Sequence, residues 1–285
     1  MRKKSKILAI LSILSMAIFL VLCYCVAAKV GQTLQAQNEA EQLQMIYHAK
    51  PAEQAAAPSD WSGGMLDINP DYVGWLQVAG TRIDLPVVQA DDNEVYLRRD
   101  IYGEKQICGT CFMDYRVDMS VSGNRIIYGH NMMDGTMFDD LDEFKDAEFF
   151  KDHGLIRWRE ETGDTVYQVF AVAVIPGAAG SGEYLDPGLW ADQMSEESTE
   201  QMIQELHEVS ALWRPIRHDS GSRYLFLVTC DYTRDNGRLL IAARNISTDR
   251  KEQYDETEHD HYGMRGSSSV HRDGPVPAGM QIESN

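Results

Sequence analysis

The sequence predicts a mostly β domain that closes into a barrel and follows an apolar N-terminal helix. Between about residue 65 and residue 246, short and often alternating apolar segments are separated by turn residues, which is the pattern of antiparallel strands. About 180 residues of short antiparallel strands must hide their edges, and closure into a barrel does so. A stretch of 22 residues without a formal charge, residues 7–28, supplies the helix.

The uncharged stretch has the length and the flanking charges of a membrane anchor. Four basic residues precede residues 7–28, whereas only Lys29 follows closely. The positive-inside bias therefore places the N-terminus in the cytoplasm and everything after Lys29 outside the cell, in a single-pass membrane protein. A secretory signal peptide is the alternative because of Ala27 and Ala28, but its apolar region is normally shorter.

The chain divides into four regions. Residues 1–29 are the cytoplasmic basic start and the transmembrane anchor. Residues 30–64 are rich in Gln, Ala and Glu and end in a break, which predicts a juxtamembrane helical stalk or a helix lying on the domain. Residues 65–248 form the folded domain, and residues 249–285 mix charges with Gly, Pro and Ser, which predicts a disordered tail.

Each predicted strand is a short apolar run bounded by turn residues. The predicted strands comprise residues 74–78, 82–89, 109–114, 125–129, 165–175, 224–228 and 238–243. One insertion, residues 186–214, precedes the last two strands and is predicted to be helical, best of all over residues 198–212. Its apolar residues recur at helical spacing and indicate a packed element: Met202, Ile203, Leu206 and Val209.

The part of the chain outside the anchor is strongly acidic. Residues 1–29 hold five basic and no acidic residues, which leaves 21 Lys plus Arg against 44 Asp plus Glu. Such a surface repels phosphate backbones, so we expect no nucleic-acid ligand, whereas a basic peptide or a free amine is tolerated or attracted. We expect no metal and no cofactor, because the loop pairs Asp91-Asp92 and Asp139-Asp140 are of the kind that is commonly only solubilising.

Cysteine is sparse outside the predicted anchor. Only Cys108, Cys111 and Cys230 lie there, too few for a framework of disulfides. The first two form the sequence CGTC, for which a redox pair and an adventitious disulfide are alternatives. A redox motif needs a helix N-terminus to lower the pKa of its thiol, whereas Cys111 lies in a predicted strand. We therefore favour buried core positions for both cysteines.

The third cysteine lies in the stretch LVTCDYTRDNGRLLIAAR, residues 227–244. Its turn residues predict a hairpin in which Cys230 ends one strand and Arg238 opens the next, so that the two can face one another. Arg244, the competing arginine, lies about 20 Å farther along. His130 also ends an apolar run, and a neighbouring imidazolium or guanidinium lowers the pKa of a thiol. Singly, these are ordinary core or loop residues; together they indicate an activated nucleophile.

Four segments of residues 69–246 form a longer ordered pattern: NPDYVGWLQVAGTRIDLPVVQADDNEVYL, GTCFMDYR, IIYGHNMMDGTMFDDL and LVTCDYTRDNGRLLIAAR. They are similar, in that order, to the opening strands, next strand, histidine segment and cysteine-arginine segment of class B sortases. Residues 69–246 thus resemble that family, the membrane-anchored cysteine transpeptidases of Gram-positive bacteria. The resemblance implies a closed sortase-like β-barrel with N-terminal helices and a helical insertion before the catalytic-cysteine strand. It does not extend to residues 249–285.

The resemblance also implies catalytic roles for Cys230, His130 and Arg238. The thiolate would attack the carbonyl after the threonine of a sorting signal, of the type Asn-Pro-x-Thr followed by Gly or Asn, on a secreted protein. The arginine would hold the oxyanion or the peptide backbone, and the imidazolium would protonate the leaving amine. The amine of a peptidoglycan precursor or a cell-wall peptide would then accept the acyl group.

Three further residues are candidate substrate-binding positions. They are Thr229 before the cysteine, Asn131 after the histidine, and Leu206 in the insertion, which is expected to form one wall of the peptide groove. Asp231 or Asp134 is a candidate for orienting the histidine, although carboxylates that flank turns are usually only solvated.

Three other functions stay open at this point. A cysteine hydrolase would use the same Cys230 and His130 and would release the peptide to water. A pilin-polymerising sortase would use a different amine. A surface binding module would have no need for Cys230, but it also has no reason to assemble a cysteine, a histidine and an arginine at strand ends.

Overall fold

The structure is a computed structural model that describes most of the chain outside the C-terminal tail. It covers residues 2–48, 61–120, 123–132, 134–178, 184–191, 194–217 and 221–246, with side chains from residue 11 onward. The predicted tail, residues 249–285, and the end of the predicted stalk, residues 49–60, lie outside these ranges.

A single long helix, α1 (Arg2–His48), contains both the predicted anchor and the first part of the predicted stalk. It is long and apolar enough to cross a membrane. Its C-terminal part lies on the barrel, where the ring of Tyr47 stacks on that of Trp75 with 3.8 Å between the ring centroids. The residues of α1 with reduced exposure recur at helical spacing: Thr33, Ala36, Gln37, Glu39, Ala40, Leu43, Gln44 and Tyr47.

The domain is mostly β, as predicted. Its strands are β1 (Tyr72–Val78), β2 (Asp84–Val88), β3 (Cys111–Met113), β4 (Arg125–Tyr128), β5 (Asn131–Met132), β6 (Thr136–Met137), β7 (Leu155–Glu160), β8 (Gly163–Pro176), β9 (Ser210–Trp213), β10 (Tyr224–Asp231) and β11 (Gly237–Asn245). Its helices are α2 (Met65–Ile68), α3 (Ala147–Asp152) and α4 (Glu196–Val209), with 3-10 helices at Val95–Arg98, Asp139–Lys145 and Pro187–Trp190.

The strands close into a barrel. The order is β11-β10-β4-β3-β2-β1-β7-β8, and pairing of β8 with β11 joins the two ends. Neighbouring strands are antiparallel except for β2 with β3 and β4 with β10, which are parallel. Strand β9 adds to β8 outside this ring, and β5 and β6 form a separate two-stranded sheet. The prediction of a closed barrel is therefore confirmed.

One buried ion pair joins two opposite walls of the barrel. Nε of Arg125 on β4 lies 2.8 Å from Oε2 of Glu160 on β7, and both side chains are buried. The indole of Trp158 and the hydroxyl of Thr162 also donate to the Glu160 carboxylate. A buried carboxylate requires this number of donors, because it loses the hydrogen bonds that water supplies.

The prediction of a helix over residues 198–212 is wrong at its C-terminal end. Helix α4 begins after Ser195, whose hydroxyl accepts from the backbone N–H of Ser198, and it ends at Val209. The hydroxyl of Ser210 donates to the carbonyl of Leu206 and so takes up an acceptor that the helix leaves free. Residues 210–213 then pair with β8 as strand β9, because tertiary pairing outweighs the local helical pattern.

Strand β7 was not among the predicted strands. Its burial nonetheless alternates strictly, with Ile156, Trp158 and Glu160 inside and the residues between them partly exposed. Charged residues on the outward face interrupt the apolar run, although period-2 alternation is itself the signal of a half-buried strand.

Candidate active site

Cys230 and Arg238 are direct cross-strand neighbours. In the antiparallel ladder of β10 and β11, Cys230 pairs with Arg238, and the pairing is regular from Tyr224 to Asp231. Side chains of directly opposed residues point to the same face of a sheet. The thiol, which is partly exposed, therefore shares one face with the guanidinium, as the sequence predicts.

His130 follows β4, the parallel neighbour of β10 on its other side. The register pairs Tyr128 with Val228, and two further residues along each chain lead to His130 and Cys230. Nε2 of His130 lies 2.9 Å from the carbonyl oxygen of Leu97. Because a carbonyl can only accept, Nε2 carries a hydrogen, which leaves Nδ1 as the nitrogen that can exchange a proton with a ligand.

Arg238 is held by its own hairpin through a single nitrogen. Its Nη1 donates to the carbonyl of Gly237 at 2.8 Å and to Oδ1 of Asn236 at 3.4 Å. Gly177 lies beside it: a Cβ there would be 2.9 Å from the guanidinium carbon. Within the described residues, Nε and Nη2 of Arg238 have no hydrogen-bond partner, so these two donors can be offered to a ligand.

The insertion covers the face of β10 that carries Cys230. Alternation along the strand places Phe226 and Cys230 on one face, and the ring of Trp190 in the insertion lies 5.0 Å from that of Phe226. The guanidinium of Arg116 also binds Asp186 at the start of the insertion, with 3.0 Å between Nη1 and Oδ2. This agrees with a groove that has the insertion as one wall.

The three candidate substrate-binding side chains are all buried. Thr229 is 2% exposed and points to the face of β10 opposite to Cys230, where its hydroxyl has no hydrogen-bond partner in the described part of the chain. Asn131 is 3% exposed and donates to the carbonyl of Cys230. Leu206 is 0% exposed and belongs to the core under α4. All three side chains are therefore shielded from solvent, and their contacts with substrate stay predictions.

The two carboxylates considered as partners of His130 bind other groups. Oδ2 of Asp231 lies 2.8 Å from Nζ of Lys145, and Oδ2 of Asp134 accepts from the hydroxyl of Thr33 on α1 at 2.9 Å. Burial opposes the ionisation of Asp231, but hydrogen bonds, first that from Lys145, hold its pKa below the usual value. A backbone carbonyl, not a carboxylate, therefore orients the histidine ring.

Cys108 and Cys111 are free, buried thiols, as expected for core positions. Burial raises the pKa of Cys108 to about 11, and burial also raises the pKa of Cys111. Both thiols therefore stay protonated near neutral pH, and neither has the thiolate character that a redox motif needs.

Three carboxylates of the acidic loop pairs, those of Asp92, Asp139 and Asp140, have protein partners. The guanidinium of Arg82 binds the carboxylate of Asp140 and lies 3.9 Å from that of Asp139. Oδ1 of Asp92 accepts from two backbone N–H groups, those of Glu94 and Val95. In the described ranges, no group of three or more His, Cys, Asp or Glu residues could hold a metal ion.

Two cavities lie between α1 and the barrel, away from the thiol. Their volumes are about 780 and 610 Å³, and Cys108 lines both. Neither is lined by Cys230, His130 or Arg238. Neither of these two cavities therefore contains the three candidate catalytic residues.

Comparison with known proteins gives the chain clear relatives. A family model described as Sortase domain matches residues 76–246. The chain is 33% identical to Sortase B of Listeria monocytogenes over 185 residues, which are 63% of this chain and 72% of that protein. It is similar to the structure of Clostridium perfringens sortase B, with a TM-score of 0.60 and 31% identity, over 65% of this chain and 100% of that one. It is also similar to a Streptococcus pyogenes class B sortase involved in pilus biogenesis, with a TM-score of 0.56 and 26% identity, over 64% and 95%.

Proposed function

This chain belongs to the sortase family as a class B sortase, a cysteine transpeptidase, and we propose that Cys230, His130 and Arg238 carry out the transfer. The observation that carries the assignment is the pairing of Cys230 with Arg238 across one hairpin, with His130 at the end of the adjacent parallel strand. The three strands belong to one continuous sheet, which holds Cys230 and Arg238 within paired strands and places His130 just beyond the end of β4.

The first half of the reaction is acylation. The thiolate of Cys230 attacks the carbonyl carbon of the threonine in the sorting signal, and a C–S bond forms. The C–N bond of the scissile peptide breaks, and Nδ1 of His130 delivers a proton to the leaving amine. The second half reverses the proton transfer: the acceptor amine attacks the thioester, gives a proton to Nδ1, and displaces the thiolate.

Arg238 stabilises the charge that develops on the carbonyl oxygen. Two of its nitrogens are without protein partners in the described ranges, and the third is fixed to the turn of the hairpin. A planar guanidinium with one anchored end presents its other donors in a fixed direction, which is what an oxyanion site requires.

The substrates and the membrane topology are part of the same proposal. We propose that the donor is a secreted protein with a C-terminal sorting signal and that the acceptor is the amine of a peptidoglycan precursor or a cell-wall peptide. The N-terminus lies in the cytoplasm and residues 65–248 outside, with α1 as the single membrane-spanning helix; the basic residues before the apolar span support this orientation. The exterior domain is acidic, which favours an amine over an anionic acceptor.

Pilin polymerisation is the second candidate function. The observation in its favour is the similarity to a class B sortase involved in pilus biogenesis. The two functions share the acyl-enzyme step and differ in the amine, so the choice of acceptor separates them.

The test uses the full chain in detergent micelles. Peptides of the type Asn-Pro-x-Thr followed by Gly or Asn are added with no amine, with a cell-wall stem peptide, or with a peptide that carries a pilin-like lysine. Mass spectrometry should find a thioacyl adduct on Cys230 and an amide product with the preferred amine. Cys230→Ala should abolish both, His130→Ala should slow turnover by at least about 100-fold, and Cys108→Ala, which removes a buried thiol, should leave the adduct intact.

Each other outcome has a defined meaning. Rapid release to water that is indifferent to added amine would identify a hydrolase. Preference for the lysine peptide would identify pilin polymerisation. Absence of the adduct with every peptide, together with peptide binding that survives Cys230→Ala, would reject the catalytic assignment in favour of a binding module.

A further inference from the structure

The strand pairing that aligns the two catalytic segments ends before it reaches them. The parallel register of β4 and β10 extends to Tyr128 and Val228. A hydrogen bond of 3.2 Å from the N–H of Gly129 to the carbonyl of Val228 continues it by one residue. His130 and Cys230 lie beyond that point. Between them, the alignment has to come from side chains.

Asn131 bridges the two segments at this place. Its Nδ2 donates to the carbonyl oxygen of Cys230 at 3.0 Å and to Oδ1 of Asp142 at 3.3 Å. An amide nitrogen has two hydrogens, so both bonds can form at once. Because Asn131 directly follows His130, its carboxamide ties the histidine segment to the backbone of the nucleophile.

A second bond runs in the opposite direction. The hydroxyl of Tyr232, two residues after Cys230, donates to the backbone carbonyl of Asn131 at 3.1 Å. Each segment thus supplies one side chain that binds the backbone of the other. The side chain of Tyr232 is largely exposed, and the residue as a whole is 67% exposed, so its bond can be removed without disturbing the core.

Lys145 binds Asp142, the carboxylate that also accepts a hydrogen bond from Asn131. Nζ of Lys145 lies 3.0 Å from Oδ1 of Asp142 and 2.8 Å from Oδ2 of Asp231, the residue after Cys230. The 3-10 helix Asp139–Lys145 therefore connects to both segments. The bonds form a chain from the histidine segment through Asp142 and Lys145 back to the cysteine strand.

We propose that Asn131 is a positioning residue whose carboxamide sets the imidazole of His130 against the sulfur of Cys230. The inference rests on the proposed roles of those two residues. Proton transfer by His130 needs an approach of about 2.6 to 3.2 Å to the reacting group. A misplacement of about 1 Å can cost about 100-fold in rate. Asn131 is buried and its donors are engaged, so it acts through its neighbours and not on the peptide.

The test compares Asn131→Asp and Asn131→Ala with the wild-type full chain in detergent micelles. Asn131→Asp keeps the size but replaces the donor by a carboxylate that faces a carbonyl and Asp142. We expect kcat to fall about 10- to 100-fold while KM stays near the wild-type value. The pH profile of the alkylation of Cys230 by iodoacetamide should shift, because the imidazole of His130 is displaced from the thiol.

The matched control is Asn124→Asp at the other end of the same two strands. Asn124 also bridges by its side chain, donating to the carbonyl of Trp190 at 2.7 Å and accepting from the N–H of Tyr224. Its replacement should lower the thermal stability but leave kcat and the pH dependence of alkylation unchanged. If the variants act only through a general loss of stability, kcat and the alkylation profile should change alike in all three. That result would contradict the positioning role.

Tyr232→Phe covers the case in which the Asn131 variants do not fold. This substitution removes the hydrogen bond from the exposed Tyr232 hydroxyl to the carbonyl of Asn131. We expect a smaller fall in kcat and a shift of the alkylation profile in the same direction. Wild-type kcat and an unshifted alkylation profile in folded Asn131→Asp, or in Tyr232→Phe where the former does not fold, would overturn the proposal. Alkylation needs no peptide, so it tests Asn131 even if the wild type transfers no acyl group, a result that would instead reject the proposed function.

Discussion

The guanidinium of Arg116 occupies the space into which any side chain on Gly188 would project. Arg116 binds Asp114 of the barrel at 2.8 Å and Asp186 of the insertion at 3.0 Å, and Asp114 is fully buried. The insertion is therefore fastened to the barrel by an arginine that fits only because residue 188 has no Cβ.

Gly188→Ala should loosen the insertion without touching the catalytic residues. The added methyl group pushes the guanidinium off its carboxylates, and overpacking of this kind costs about 1 to 3 kcal/mol of the free energy of unfolding. We expect a higher KM for the sorting peptide and an unchanged rate of alkylation of Cys230, measured by peptide kinetics and mass spectrometry. Gly123→Ala is the control, because a Cβ there would have only an ordinary contact of 3.8 Å with Arg223. An unchanged KM in Gly188→Ala would place the peptide groove elsewhere.

Arg238→Lys should be nearly as inactive as Arg238→Ala. The loss of one oxyanion donor costs about 100- to 1000-fold in kcat, and a point charge on a flexible stem does not reproduce two fixed donors. The measurement is kcat for transpeptidation of the sorting peptide. Arg244→Lys serves as the control: Arg244 pairs with Tyr224 at the far end of the hairpin, about 20 Å away. Substantial activity in Arg238→Lys would count against the oxyanion role.

Only one extramembrane cysteine should react in the folded protein. Burial raises the pKa of Cys108 to about 11 and raises that of Cys111, so both are protonated thiols at pH 8 and shielded from reagents. Brief treatment with iodoacetamide near that pH should modify Cys230 alone, and unfolding in urea should release the other two. Peptide mass mapping reads the result. If the mass of the peptide material containing Cys108 and Cys111 is lower by two hydrogens, the two residues instead form a disulfide.

Glu160→Gln should strongly destabilise the barrel. Burial opposes the ionisation of Glu160, but the hydrogen bond and charge of Arg125 and the two neutral donors lower its pKa. Removing one partner of a buried pair costs about 3 to 5 kcal/mol, to be measured by urea unfolding at pH 7. Asp164→Asn is the control, since its arginine partners are more exposed and such pairs contribute about 0 to 1 kcal/mol.

The same pair gives the wild type a pH dependence with a defined sign. A carboxylate whose pKa is lower in the folded than in the unfolded state stabilises the fold fully above the unfolded value, about 4.3 for Glu. This contribution is lost as the pH falls from there through the folded pKa. The acid loss of unfolding free energy should therefore be shallower in Glu160→Gln than in the wild type. Parallel curves for the two proteins would mean that the pKa of Glu160 is the same in the folded and the unfolded state.

The hairpin of Cys230 and Arg238 was predictable because its information is local. Turn residues between two apolar runs fix the register over a short stretch of chain, and the structure reproduces the facing pair. The end of the insertion was not predictable in this way. Residues 210–213 continue a helical pattern, and only their pairing with β8, far away in sequence, makes them a strand.

The roles of Asn131 and Leu206 show a second limit. An apolar stripe reveals that a helix buries one face, but it does not say whether Leu206 lies in the core or along a groove. The bond from Asn131 to Cys230 depends on where the parallel register of β4 and β10 stops. Such non-local relationships cannot be inferred from the spacing of residues along one chain.

The hydrogen bond between Thr33 of α1 and Asp134 limits how far the domain can lie from the end of the apolar span. Thr33 lies five residues beyond the uncharged span 7–28, about 7.5 Å farther along the helix. Lipid headgroups occupy roughly the first 5 to 7 Å outside the hydrocarbon. Asp134 is four residues from His130, so with the span in a bilayer we expect the proposed reaction to take place close to the headgroups. On the proposed topology, we therefore expect donors and acceptors that are themselves tethered to the membrane to reach the site by lateral diffusion, and amines in distant layers of the wall not to reach it.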